Sequence, residues 1–549
     1  MRVHECEREI RLLVNNISVP FMGGDAAILE KAEKKLYRAG VRGAVLHISK
    51  KSVDARHKTD IRFVASVIAV LPAGTRCNAS FLEREGIREL ETTALQIRKG
   101  TGRLAAPPVV VGMGPAGLFA ALLLAREGYH PVLIDRGGNV ADRAECVRQF
   151  STRQVLDTEC NIQYGAGGAG TFSDGKLLTR INDGRCAYVL EELCRFGAPE
   201  DILTKAKPHI GTDVLRLVVD NILKEIVRCG GVVRYRCRMD DFTEYPDGTF
   251  SVATTQGTLR AGALFLAPGN SARDTFLLLL NKGFSMQQKP ISVGVRIEHL
   301  RADIDRMCYG NAAGHPLLGA AEYALSDTTL PRGVYTFCMC PGGSVVAAAS
   351  EQGGVVVNGM SERARDGVNS NAAIAVSVRC TDYAGETGHP ITDAIAFVRR
   401  VERAAYRAGG NTFCAPIQTV GDFLGGTVGT APSRVLPTYM GGFCRPCDLE
   451  DVLPAFVCNG LRDGLRSFDR KMPGFAMPEA VLTGAETRTS APLRILREEE
   501  TLCAPGHPLV YPVGEGAGYA GGITSAAVDG IRAATALMAN YGGLATDLQ

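Results

Sequence analysis

The sequence predicts an α/β fold: a parallel sheet completed from two distant stretches of chain, an inserted α+β domain, and a separate α+β module at the N-terminus. Three observations predict it. Residues 109–137, VVVGMGPAGLFAALLLAREGYHPVLIDRG, run as strand, glycine turn, apolar helix and strand. Residues 509–538, LVYPVGEGAGYAGGITSAAVDGIRAATALM, repeat a strand, glycine loop and helix near the end of the chain. The first hundred residues alternate in the order β-α-β-β-α.

The N-terminal elements follow from composition and spacing. RLLVNNISVP, Arg11–Pro20, is rich in Leu, Val and Ile and reads as a strand. Asp25–Ala39 has helical spacing and stops at Gly40, a C-cap residue. Ala44–Ile48 and Ile61–Val70 are the next strands, parted by SKKSVDARHKTD. A second helix is expected at Phe81–Glu91, followed by a basic tail. This order fits a ferredoxin-like α+β domain over residues 1–100. Thr101–Pro108, with a Gly and a Pro pair, is a linker.

Composition sets the class. Of 549 residues, 46% are hydrophobic and 22% charged, enough for about three domains to bury cores of their own. A formal charge of +3 gives no reason to expect a nucleic-acid or membrane partner. The 17 cysteines are odd in number and follow no repeating spacing. The opening MRVHECEREIRLLVNN is charged where a signal peptide needs an apolar run. A reducing, cytoplasmic setting with free thiols is expected. The apolar stretch Pro107–Ala125 is broken by Gly112, Gly114, Pro115 and Gly117, so it reads as a soluble strand–turn–helix.

Val109–Val111 is a buried strand, and Gly112, Gly114 and Gly117 form G-x-G-x-x-G after it. The first glycine permits a tight turn, the second lets backbone approach a pyrophosphate, and the third lets helix and strand pack closely. The helix 116–127 offers its N-terminal amides to phosphate. Asp135 closes the next strand, where a carboxylate can bind ribose hydroxyls. A second match to the pattern, Gly165–Gly170, has no apolar strand before it and does not read as another such site.

This motif does not separate FAD from NAD; the returning segment 509–538 does. It places a helix N-terminus where it would stabilise negative charge on a reduced flavin ring. ALFLAPG, Ala263–Gly269, supplies a third contact strand in the correct order. A Rossmann-like FAD-binding domain is therefore expected in two parts, residues 101–275 and 481–549, around an α+β cap or substrate domain at 276–480.

A closer resemblance rests on YGAGGAGTFSDGKLLTR (164–180), KPHIGTDVLR (207–216), LAPGNSARDTF (266–276), KPISVGVRIEH (289–299), ETRTSAPLRI (486–495) and PVGEGAGYAGGITSAAVDGI (512–531), with residues 337–367. These resemble a family of bacterial FAD-dependent dehydrogenases, NAD(FAD)-utilising dehydrogenase-like, related to the glutathione-reductase type-2 flavoproteins. The resemblance is weakest over residues 1–100. It implies an oxidoreductase without naming a substrate. Asn270 stands where a His often precedes Ser-Ala-Arg-Asp, and Ala166 where the family pattern has a Glu; both departures bear on any proton transfer through those positions.

The cofactor-binding residues expected are Gly112, Gly114, Pro115, Ala116, Gly117, Asp135, Arg136, Arg143, Gly167, Gly168, Thr171, Ser173, Asp174, Ala267, Pro268, Gly269, Gly514, Glu515, Gly522 and Ile523. Ser173, Asp174 and Lys176 either line the cofactor or satisfy a turn and pair with each other. In VGVRIEH, Arg296 and Glu298 share one face and His299 the other. Arg296 is a candidate to grip a substrate carboxylate, with Glu298 as its orienter or a proton carrier; a buried structural ion pair is the alternative. With Lys176 these two are the catalytic candidates. Arg488 and Thr489 are candidates for an anion or flavin contact, against a loop ion pair with Glu486.

No metal site is expected, for the chain shows no two matched pairs of ligands. Cys146 and Cys160 lack the short spacing of a flavoprotein redox pair. Cys338 and Cys340, taken as members of one strand, face the same side with poor geometry for a disulfide.

The function expected is that of an FAD-dependent oxidoreductase, a dehydrogenase moving hydride to or from N5 of non-covalently bound FAD. NAD(P)H is a candidate donor, and the substrate is a small molecule, anionic if Arg296 grips it. The alternative is a flavin-containing RNA-maturation or binding factor. It rests on Lys31, Lys34, Lys35, Arg38 and Arg42, a basic stripe at helical spacing that a solvated helix face also explains. The module lacks the aromatic-rich strands of RNA binders, so nucleic acid is not the expected partner.

Overall fold

The structure, a computed structural model, describes residues 10–72, 75, 79–90 and 95–545. It divides into two compact units. One comprises Met1–Gln96, Pro199–Pro208 and Ala302–Ala321; the other comprises Ile97–Ala198, His209–Arg301 and Glu322–Gln549. The first unit thus takes in two segments that the sequence reading assigned to later domains. The chain is mixed α/β, and among the described residues no helix is long and apolar enough to cross a membrane.

The first unit has a four-stranded antiparallel sheet in the order Val45–Asp54, Arg62–Leu71, Ile10–Pro20, Ile87–Glu89. Period-two burial in Arg62–Leu71 sends Phe63, Ala65, Val67, Ala69 and Leu71 inward. Ile28, Ala32 and Leu36 of the helix Gly24–Arg38, spaced by one turn each, are buried as well. The segment 199–208 covers the outer strand: Lys51 N donates to Thr204 O at 2.8 Å and Ala206 N to Lys51 O at 3.0 Å. An edge with unpaired amides is thereby blunted. The expected helix Phe81–Glu91 is shorter, Ala79–Arg84, because Gly86 turns the chain at φ 63° into the strand Ile87–Glu89. Glu91 lies outside the described residues, as do the first nine residues of the N-terminal stretch.

The second unit holds a five-stranded parallel sheet in the order Val510–Pro512, Ala263–Leu266, Pro108–Val111, Val132–Ile134, Val232–Arg234. Its strands are short and mostly apolar, as strands covered on both faces must be. The helix Pro115–Arg126 is buried from Ala116 to Ala125 and packs against Ile523–Asn540 and Thr212–Arg228. Gly530 makes the first of these contacts close: a Cβ there would lie 2.0 Å from the Ala116 carbonyl oxygen.

A seven-stranded sheet completes the unit. Its order is Ser326–Asp327, Val334–Cys340, Asn369–Val378, Ile291–Leu300, Val481–Glu486, Ala415–Thr419, Cys444–Pro446. The neighbours are antiparallel except for the last pair. The strand Val481–Glu486 belongs to this sheet although it lies past residue 480, where the cap was expected to end; the return to the parallel sheet comes with Val510–Pro512.

Candidate functional site

Four glycine-bearing loops meet at the C-terminal ends of the parallel strands. Gly112, at φ 103°, comes so close to the turn after Ala263–Leu266 that a Cβ would lie 2.1 Å from the Ala267 carbonyl oxygen. A Cβ on Gly117 would lie 1.9 Å from Gly112 O. Gly168, at φ 62°, stacks its backbone on Gly114, and a Cβ there would meet Gly114 Cα at 2.8 Å. The fourth loop joins through Gly514, whose Cβ would meet that of Ala116 at 2.8 Å, and through Gly516, against Gly269. Pro115, Gly167, Gly170 and Ile523 line one small apolar cavity of about 20 Å³. Sequence spacing alone could give three of these loops; the placement of Gly165–Gly170 beside Gly114 needed the structure. That stretch is irregular and leads into a 3-10 turn, Ala169–Phe172.

Asp135 and Arg143 hold the loops together. Asp135 Oδ2 accepts from Met113 N at 2.8 Å; its Oδ1 accepts from Gly137 N at 2.8 Å and Gly165 N at 2.9 Å. One carboxylate therefore ties the first glycine turn to the second loop. Arg143 is fully buried and donates to three carbonyl oxygens, of Asn161 at 2.8 Å and of Ala166 and Ile162 at 2.7 Å. Its guanidinium also stacks on Phe172, 4.7 Å from the ring centre. Burial with no paired carboxylate draws its pKa down to about 10, so it remains a cation. Arg136 pairs with Asp274 at 2.5 Å and lies over the Tyr164 ring. Asn161, absent from the expected set, caps the same loop through Oδ1, which accepts from Gln163 N at 2.9 Å.

Two helix N-termini point into the junction without side-chain caps. Gly114 is the extended N-cap of Pro115–Arg126, and Gly522 that of Ile523–Asn540. The first amides of such helices have no intrahelical acceptor. Around Gly114 a Cβ would meet only Gly168 Cα, at 4.0 Å, and around Gly521 it would meet nothing within 4 Å.

Ser173, Asp174 and Lys176 are bonded within the protein. Ser173 Oγ donates to Gly170 O at 2.6 Å and accepts from Gly175 N. Thr171 N donates to Gly168 O. Asp174 is buried; burial alone would raise its pKa, but Lys176 at 2.7 Å and Arg365 at 2.5 Å hold it below the usual carboxylate range. Lys176 also donates to the Met339 carbonyl.

Arg296 and Glu298 are corrected. Arg296 is fully buried and spends its donors on Glu486 at 2.7 Å, the Cys338 carbonyl at 2.9 Å, Asn371 at 3.0 Å and Asn358 at 2.7 Å. Four of its five N–H groups are taken within the protein and the side chain is fully buried, so it does not face a substrate carboxylate, and Glu486, not Glu298, orients it. Glu298 accepts from Thr438 Oγ1 at 2.6 Å and Asn369 Nδ2 at 3.0 Å, and burial raises its pKa. His299 is buried with Nε2 2.8 Å from the Phe475 carbonyl oxygen. Arg488 pairs with Glu402, at 3.2 Å, and with Ser350, rather than with Glu486. Thr489 Oγ1 donates to Ser292 O at 2.9 Å. Glu402 also takes Arg273, at 2.7 Å; burial alone would raise it, but the two guanidiniums hold it at about 2. No spacing in the sequence pointed to Glu402 or Glu486 as partners, since they lie 129 and 190 residues from the arginines they pair with first.

Glu515 Oε1 accepts from Asn270 Nδ2 at 2.9 Å. Burial pushes this carboxyl up to about 7, against the Asn270 hydrogen bond and the charge of Lys289.

The fold also gathers Cys146, Asp157 and Cys160, whose ligand atoms lie within 4.8 Å of one another. Arg236 donates to Asp157 at 2.6 Å and to Cys146 Sγ at 3.5 Å, so a guanidinium supplies the positive charge there. In the first unit, Lys31 and Lys35 donate to the carbonyls of Ser18 and Asn15, Lys34 pairs with Glu30, and Arg42 lies over Tyr37.

Residues 290–489 match the family described as FAD-dependent protein, C-terminal domain-like. A protein of Clostridium beijerinckii, described as an uncharacterized protein, is 44% identical over 540 residues, covering 96% of this chain and 98% of its own. The chain belongs to the family of this clostridial protein. Among solved structures, CtdE in complex with FAD covers 79% of this chain and 84% of its own at 11% identity, with a TM-score of 0.32. Glycine oxidase from Geobacillus kaustophilus covers 79% and 93% at 12% identity, with a TM-score of 0.32. Likenesses of that degree carry no conclusion about the reaction.

The family match supports FAD as the cofactor, and the residues fit it. The open slot at Gly114 and Gly168 suits a pyrophosphate, and the uncapped end at Gly521 and Gly522 suits the electron-accepting edge of a flavin. A Cβ at Gly114 would stand in that slot.

Proposed function

We propose that the protein is an FAD-dependent oxidoreductase that binds FAD non-covalently across the junction of its four glycine loops in a Rossmann-like domain. The observation that carries this reading is the pair of uncapped helix N-termini, at Gly114 and Gly522, on one junction. When bound, FAD supplies hydride chemistry at N5. The chain's residues do the rest. Gly114 and Gly269 leave room for the nucleotide, Gly112 and Gly168 let the loops close on one another, and Asp135 fixes the first two loops against each other. Ala267, Pro268, Gly514 and Ile523 wall the junction. The amides at Gly522 and beyond stabilise negative charge on the reduced ring. Glu515, with its pKa near neutrality, can hold a proton at its carboxyl while Asn270 fixes Oε1.

NAD(P)H is the electron donor to try first, and a small molecule is the substrate. The test is the absorption spectrum of the purified protein, followed anaerobically as NADH and then NADPH are added. Flavin bands that bleach support the dehydrogenase reading with a nicotinamide donor. Bands that persist point to an organic donor. Absence of bands after reconstitution with FAD overturns the proposal.

A further inference from the structure

Cys338 breaks the pleat of its strand. The pairing of Val334–Cys340 with Asn369–Val378 slips between Phe337 and Cys340, and Cys338 sits at φ 45°, a left-handed conformation unusual for a residue with a side chain. In a regular strand the two side chains would stand roughly 7 Å apart along one face, too far for an S–S bond. The bulge removes that obstacle. Cys340 Sγ turns back toward Cys338, lying 3.2 Å from its carbonyl oxygen.

The surroundings differ for the two sulfurs. Cys340 is fully buried, whereas Cys338 is half-buried and can be reached. Two cations flank the bulge: Arg296 binds the Cys338 carbonyl, and Lys176 binds the carbonyl of Met339 between the cysteines. The neighbouring Cys340 thiol holds the Cys338 thiol well below its ordinary range against burial, and the charges of Lys176 and Arg296 act in the same direction. Cys340 is raised, by Cys338 beside it and by burial. A half-buried thiol held toward its thiolate beside a fully buried neutral thiol is the arrangement of an attacking and a resolving sulfur. The bulge also adjoins the glycine junction: Leu177, next to Lys176, accepts from Thr524 Oγ1 at 2.7 Å in the first turn of Ile523–Asn540.

We propose that Cys338 and Cys340 are a redox-active dithiol that exchanges with low-molecular-weight disulfides, Cys338 attacking and Cys340 resolving. The Cys338 thiolate attacks one sulfur of RSSR. The S–S bond breaks, Cys338 carries a mixed disulfide, and the departing RS⁻ takes from water the proton that Cys338 had shed. The Cys340 sulfur then attacks Cys338 Sγ. The Cys338–Cys340 bond forms, and the second RS⁻ leaves as RSH with the proton of Cys340. One RSSR is reduced to two RSH while the dithiol gives up two electrons and two protons.

The test uses full-length protein, freed of reductant, incubated with oxidised glutathione and then alkylated with iodoacetamide before peptide mass analysis. The expected product is a Cys338–Cys340 bridge, a peptide lighter by two hydrogens. Cys340→Ser should leave glutathione trapped on Cys338, and Cys338→Ser should give neither product. In the wild type, Cys338 should alkylate faster at pH 7 than the other accessible cysteines, and Lys176→Met should move the midpoint of its alkylation rate against pH upward by about one unit. Both sulfurs alkylated after exposure to the disulfide, or glutathione held on Cys340, overturns the proposal. Because thiol exchange is read whatever the flavin content, failure here is distinct from failure of the FAD reading.

Discussion

Asn270 Nδ2 donates to Glu515 Oε1 at 2.9 Å, joining the turn after one parallel strand to the loop before the C-terminal helix. An amide does not titrate, so Asn270 fixes the carboxyl without exchanging protons with it. The Asn270 hydrogen bond and the charge of Lys289 lower Glu515, and burial outweighs both.

That balance gives a pH dependence. The folded chain keeps Glu515 protonated up to about 7, while the unfolded chain ionises it near the ordinary glutamate value of 4.5. The folded state therefore binds more protons between these values, and stability falls as pH rises through that window. Glu515→Gln should remove this slope, and its advantage over the wild type should grow from pH 4.5 to pH 7 by about 3 kcal/mol at most. Urea midpoints of both proteins at matched flavin content check it; parallel pH profiles would refute it.

Gly112 and Gly114 should respond differently to the same methyl group. Gly112→Ala places a Cβ 2.1 Å from a carbonyl oxygen on a backbone at φ 103°, and should disrupt the end of the central strand. Gly114→Ala meets only Gly168 Cα, at 4.0 Å, so it should fold within about 1 kcal/mol of the wild type and lose at least about tenfold in FAD affinity. Flavin retention measured beside urea melts separates the two effects.

Arg296 should behave as a structural residue. Removing either partner of the Arg296–Glu486 pair leaves a buried charge, and Arg296→Met or Glu486→Leu should each cost about 3–5 kcal/mol in urea unfolding. A variant that retained wild-type stability yet lost turnover would restore Arg296 as a substrate-binding residue.

Asp135→Asn should loosen the glycine loops. Its Oδ1 takes two amides and its Oδ2 one. An amide side chain must turn its NH2 toward at least one of these backbone donors, at about 1–3 kcal/mol. Faster hydrogen exchange at Met113 or Gly165, with weaker FAD retention, is the expected result.

The first βαβ unit was legible because strand, glycines, helix and second strand are local in sequence, each within reach of the next. The glycine loop 165–170 was legible as close-packing backbone, though its neighbour Gly114 was not. What spacing could not reveal was pairing over long separations. Alternation put Arg296 and Glu298 on one face, yet the carboxylate that meets Arg296 comes from Glu486 on the adjacent strand. The same rule gave Cys338 and Cys340 poor geometry for a disulfide, because it assumes an unbroken pleat, and Cys338 sits where the pleat breaks. The helix expected to Glu91 stopped early at a single glycine.

The strand Val481–Glu486 sits in the interior of its sheet, between Ile291–Leu300 and Ala415–Thr419, and Val510–Pro512 joins the other sheet still later. A ribosome releases these residues long after their partners have emerged. Until then two antiparallel neighbours face a missing strand, and the nascent chain carries open hydrogen-bonding edges. Premature termination anywhere before residue 481 should thus yield a product that aggregates or binds chaperones rather than a smaller working protein.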